Sequence, residues 1–118
     1  MSNSKIQTYE SAYIYMARFD NIDSVKVGWS TNPERRCNEL HGKPKQLHTV
    51  RFTNCTKSKI MTIEGMFHKA LKEYSVERFS RDYMNDGSTE YFEIDAVSKF
   101  EEVCKILNLK FEKFPYFI

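Results

Sequence analysis

The residues best suited to chemistry lie in two places. The stretch "SVKVGWSTNPERR", residues 24–36, places Lys26, Gly28, Arg35 and Arg36 where an apolar strand passes through a polar turn into a helix. Further on, Glu64 and His68 sit four residues apart in an amphipathic segment. At about 100° per residue, Ile60, Ile63, Phe67, Leu71 and Tyr74 cluster on one face, and Glu64 falls inside that apolar arc. A carboxylate there needs a partner, either a core-flanking arginine or a bound cation, because burying it bare is costly. One carboxylate and one imidazole do not close a zinc site. A tyrosine, a lysine, an arginine and a carboxylate are together the parts that phosphodiester hydrolysis needs: an activated water, positive charge on the phosphoryl oxygens and a cation on the leaving oxygen. Each also has a plainer role. Surface arginines are solvated, strand tyrosines fill cores, and a strand lysine is exposed.

The elements that must position these residues can be read locally. "AYIYMARF", Ala12 to Phe19, is a strand with Tyr13, Tyr15, Ala17 and Phe19 on one face and Ile14, Met16 and Arg18 on the other. "SVKVG" forms the second strand of a hairpin, with Val25 and Val27 opposite Lys26 and Gly28. Thr31 or Asn32 caps a short helix that begins at Pro33, and Thr31 with Glu34 fits a capping box. Leu47 to Phe52 is a third strand, residues 59–74 a helix, and "YFEI" a short late strand. Asp95 caps a last helix from Ala96 to about Leu107, and the tail "FEKFPYFI" covers core. The order β-β-α-β-α-(β)-α implies an α+β fold: a small, mainly antiparallel sheet of about three strands plus a short late one, flanked by helices.

A chain of 118 residues suits one domain: residues 1–11 an extension, 12–94 the core, and 95–118 the last helix and tail. The net charge of +2 does not point to nucleic acid, but its distribution is uneven. The first 75 residues carry 12 Lys+Arg against 7 Asp+Glu, and the remainder 6 against 9. Cys37, Cys55 and Cys104 form no C-x-x-C pair, which suits a reducing compartment and argues against structural zinc. With no long apolar span and no signal-like start, a soluble intracellular protein without a membrane partner is expected.

Taken together, "YIY" in one strand, "KVG" in the next with its glycine thirteen residues after Tyr15, an arginine eight residues beyond, and a helix glutamate resemble the GIY-YIG nuclease superfamily. The lysine form of the second motif, the E-x-x-x-H helix (Glu64, His68) and the late Glu90-Tyr91-Phe92 are similar to its branch in phages and large DNA viruses. Tyr13 stands where the family has its first glycine, and Lys26 where it has a tyrosine. Leu40 occupies a position often held by histidine or tyrosine, with His41 adjacent, and Glu90 fills part of the role of a late asparagine.

The resemblance implies a metal-dependent endonuclease acting on DNA or structured nucleic acid. Tyr15 would serve as or orient the general base, Lys26 would favour its ionised form, Arg36 would stabilise the phosphoryl oxygens, and Glu64 would hold one Mg²⁺ or Mn²⁺ ion. Tyr13, Gly28, His41, His68 and Glu90 would support them. These groups are expected to converge on one cleft, with Arg18, Arg35, Lys43 and Lys45 contacting nucleic acid. Without a separate DNA-reading domain, weak sequence specificity is expected unless the protein forms a homodimer or has a partner. A viral source would place the protein in host cytoplasm or nucleus. Two alternatives stay open: a catalytically weak nucleic-acid-binding module, and a viral or phage interaction protein reusing the fold.

Overall fold

The computed structural model describes residues 7–19, 22–40, 42–76 and 91–115. His41 and Glu90 lie outside the described residues, as does the polar stretch before Tyr91. The elements follow in the order β1 (Thr8–Arg18), β2 (Val25–Ser30), α1 (Pro33–Leu40), β3 (Gln46–Thr56), α2 (Lys57–Ala70), a 3₁₀ turn (Lys72–Tyr74), β4 (Tyr91–Phe92), α3 (Ala96–Ile106) and β5 (Glu112–Pro115). The fold is α+β, with a five-stranded antiparallel sheet in the order β4-β2-β1-β3-β5.

Period-2 alternation divides this sheet as the sequence implies. Ala12, Ile14, Met16, Val25, Val27 and Val50 form one core with Ile60 and Phe67 of α2 and Phe100 and Cys104 of α3. Tyr15, Ala17, Phe19, Leu47 and Tyr91 form a second with Cys37 of α1. The helices therefore lie on opposite faces, α1 on one and α2 with α3 on the other. The register sets which side chains are neighbours: Tyr15 faces Gly28 and Thr49, Ala17 faces Lys26, and Tyr13 faces Ser30 and Arg51.

Several local expectations are refined. The sheet has one more strand than the pattern suggests, because Glu112–Pro115 of the aromatic tail pairs with β3 from Gln46 to Thr49. Four residues with alternating charges and a terminal proline carry a weak strand signal, and such an edge resists further pairing. At the start of α1, Asn32 is the cap: its side chain accepts the Arg35 backbone N–H at 3.2 Å. Thr56 caps α2 through Lys59 at 3.1 Å. Asp95 precedes α3 in helical conformation and makes no side-chain cap bond. Leu107, expected at the end of that helix, lies just past it and is 41% exposed.

Candidate functional site

The first cluster forms on the α1 face, around Tyr15. Its ring is 1% exposed and leans across β2. A Cβ placed on Gly28 would lie 3.0 Å from the Tyr15 hydroxyl oxygen and 3.2 Å from Cζ. Glycine is needed here for close approach, and the group that approaches is the tyrosine itself. Lys26, two residues earlier on the same face of β2, is also 1% exposed. Its Nζ lies 5.0 Å from the centroid of the Tyr91 ring, which β4 sets directly across the ladder. A buried ammonium is expensive unless stabilised, and a tyrosine face partly does so. The lysine and the late Tyr91-Phe92 motif are thus brought together from 65 positions apart in the chain.

Arg36 stands on α1 next to Cys37, the residue by which that helix joins this core. The helix buries Pro33 and Cys37 and leaves Arg35 and Arg36 toward solvent. Arg35 Nε lies 3.9 Å and Arg36 Nη1 3.7 Å from the carboxylate of Glu39. Cys37 records the surroundings: burial pushes its thiol up to about 12, while the positive charges of Lys26 and Arg36 pull the other way. The thiol stays protonated and is no nucleophile.

Glu64 and His68 form the second cluster, on α2, against the opposite face. The Glu64 side chain is 14% exposed and that of His68 23%. This agrees with the position of Glu64 within the apolar arc. His68 Nε2 lies 2.8 Å from the Val27 carbonyl oxygen. A carbonyl only accepts, so Nε2 carries the proton and donates. Nε2 is also 3.9 Å from Glu64 Oε2.

The four principal residues do not lie on one face. Tyr15, Lys26 and Arg36 belong to the α1 side, and Glu64 to the α2 side. The two clusters adjoin at the edge of β2. Among the described residues β4 pairs only with Val25 and Lys26, so from Val27 onward that edge has no β4 partner. There His68 ties α2 to Val27, while the Tyr15 hydroxyl lies against the next residue, Gly28.

Of the residues expected to contact nucleic acid, Lys43 and Lys45 are exposed in the α1–β3 connection. The Lys45 N–H donates to the Arg18 carbonyl at 2.7 Å, closing one end of the sheet. Arg18 alternates onto the Ile14 and Met16 side. Tyr13 is half-buried on the Tyr15 face and lines a cavity of about 610 Å³ beside the start of α1.

The sequence reading passed over two features. His48 on β3 is fully buried, donates from Nε2 to Glu101 Oε2 of α3 at 2.8 Å, and stacks on Phe111 at 5.6 Å. Its Nδ1 is buried without a hydrogen-bond partner. Nothing local distinguishes His48 from a surface histidine; only the docking of α3 and the tail buries it. Arg51, across from Tyr13, is exposed and donates from Nε to Ser11 Oγ at 3.0 Å.

Among the described residues no group of three or more His, Cys, Asp or Glu could hold a metal ion. A single carboxylate with the remaining positions taken by water and phosphate nevertheless suits Mg²⁺. Glu64, partly exposed at a strand edge, fits that kind of ligation. No helix among the described residues is long and apolar enough to cross a membrane. The family model described as the T5orf172 domain matches residues 12–109. No curated protein and no solved structure gives a match.

Proposed function

The chain belongs to the T5orf172 domain family, and from that premise we propose that it is a metal-dependent nuclease hydrolysing phosphodiester bonds in nucleic acid, DNA above all. The family is a phage-type, nucleic-acid-related domain associated with GIY-YIG-like folds. The observation that carries the reading is the burial of Lys26 on the same sheet face as Tyr15, with Tyr91 packed on the lysine and the tyrosine hydroxyl set against Gly28. A buried ammonium favours the anionic form of a neighbouring phenol and so suits Tyr15 to accept or orient the proton of an attacking water. Arg36, partly exposed on α1, supplies positive charge for the phosphoryl oxygens. Glu64 would hold one Mg²⁺ or Mn²⁺ ion, which when bound stabilises the leaving oxygen. His68, fixed to the Val27 carbonyl, positions Glu64 at the β2 edge.

A second reading, a module that binds nucleic acid without cutting it, is favoured by the same burial. Tyr15 and Lys26 are each 1% exposed, which leaves a phosphate little access to either. Purified protein incubated with plasmid and labelled oligonucleotides in Mg²⁺, Mn²⁺ or EDTA separates the two. Metal-dependent cleavage that is lost in Glu64→Gln supports the nuclease. Absence of cleavage in both metals, with no metal-induced rise in melting temperature, supports the binding module.

A further inference from the structure

We propose that Tyr13 and Arg51 form a subsite for one unpaired nucleotide beside the Tyr15 site, with the base stacked on Tyr13 and its phosphate held by Arg51. This rests on the nucleic-acid reading above, and it narrows the substrate to single-stranded or locally opened strands.

The placement follows from how little of the sheet α1 covers. Its buried residues, Pro33 and Cys37, close over the Tyr15, Ala17 and Leu47 end of that face. The register continues the same face through Tyr13 and Ser30 to Arg51. The resemblance has a glycine at the first of these positions, whereas this chain places a half-buried aromatic ring there. Between the ring and the start of α1 lies the cavity of about 610 Å³, within the roughly 300–1,000 Å³ usual for small-ligand sites.

The polar groups around the cavity are divided by charge. Glu34 and Glu112 line it together with Asn32 and Thr49. Arg51 stands on the strand face beside Tyr13, its guanidinium steadied by Ser11. Carboxylates repel a phosphate but accept hydrogen bonds from the amino groups of a base, while a guanidinium favours the phosphate. An aromatic floor, carboxylate acceptors in the cavity and an arginine just beyond its lining match a nucleotide. A base stacked within a duplex offers no face to Tyr13, so the occupant is unpaired.

The test is equilibrium binding in EDTA, so that it does not depend on cleavage. Mixed-sequence 12-mer DNA and RNA single strands and a blunt DNA duplex serve as probes, read by fluorescence anisotropy. A single strand should bind about tenfold tighter than the duplex, and Tyr13→Leu should weaken single-strand binding by about 5- to 100-fold, the range of one base–aromatic stack. Tyr13→Trp should retain binding. Arg51→Ala should weaken binding and lower the salt slope by about 0.7, one phosphate contact. Duplex bound as tightly as both single strands, or Tyr13→Leu binding like the wild type, overturns the subsite. Metal-dependent cleavage with no Tyr13 dependence in binding would sink this inference and leave the nuclease standing. Tyr13-dependent binding without cleavage would do the reverse.

Discussion

The Tyr15 hydroxyl and the α-carbon of Gly28 are packed so closely that a methyl group on the glycine would sit 3.0 Å from the oxygen. Because Tyr15 is almost fully buried, its ring has little room to retreat. Gly28→Ala should therefore cost about 1–3 kcal/mol of stability, the range for overpacking a filled core. Tyr15→Phe removes the nearest atom, so the same alanine should cost less in that background. A double-mutant cycle by urea denaturation reads the coupling. Simple additivity would mean that the two residues do not meet as described.

Lys26→Met keeps most of the length of the side chain and removes its buried amine. Stability should fall by about 1–3 kcal/mol, the cost of leaving a buried partner group unsatisfied. Cleavage should fall by about 10²–10⁴-fold, the usual contribution of proton transfer by a positioned side chain. If Lys26 helps Tyr15 ionise, the acid limb of the residual pH–rate profile should move to higher pH. An unmoved limb in an active variant would assign the lysine a purely structural role.

Burial holds the His48 imidazole below its ordinary pKa of 6.5, against the opposing pull of the Glu101 hydrogen bond. The neutral ring is thus favoured in the folded state more than in the unfolded one. Its contribution to stability is fully present above about pH 6.5, the unfolded value, and is lost as pH falls through the lower folded value. Glu101, Lys113 and Cys104 are the ionisable groups around it. The urea midpoint of the wild type should fall between pH 7 and 5, and His48→Gln should flatten that part of the curve. An equally steep fall in the variant would place the titration elsewhere.

Lys43 and Lys45 are exposed and lie in the connection that follows α1, the helix bearing Arg36. Replacing both with alanine should weaken binding to duplex and single strand alike. It should also reduce the salt slope by about 1.4–1.8, because each lost phosphate contact releases fewer counterions. Melting temperature should barely change. Unchanged binding at low salt would move the interface to another surface.

Much of this arrangement was legible along the chain. The assignment of Tyr13, Tyr15, Ala17 and Phe19 to one face, and Val25 and Val27 to the face away from Lys26, follows from alternation. The two cores obey it. The start of α1 and the partial burial of Glu64 follow from local capping chemistry and helical period, whereas α2 begins two residues earlier than expected, at Lys57, on the Thr56 cap. These features are local because backbone geometry sets a period of 2 or 3.6 whatever the neighbours are.

What covers each face was decided only by tertiary structure. A strand lysine reads as exposed until β4 returns from 65 positions away and lays Tyr91 over Lys26. The resemblance places Arg36 and Glu64 in one group, but α1 and α2 dock on opposite faces of the sheet. His48 is unremarkable until α3 and Phe111 enclose it, and four residues of the tail become a strand only because β3 offers them an edge. In each case the deciding contact is between segments far apart in sequence. The chemistry of a lysine or a histidine depends on those contacts, which leave no periodic trace in the chain.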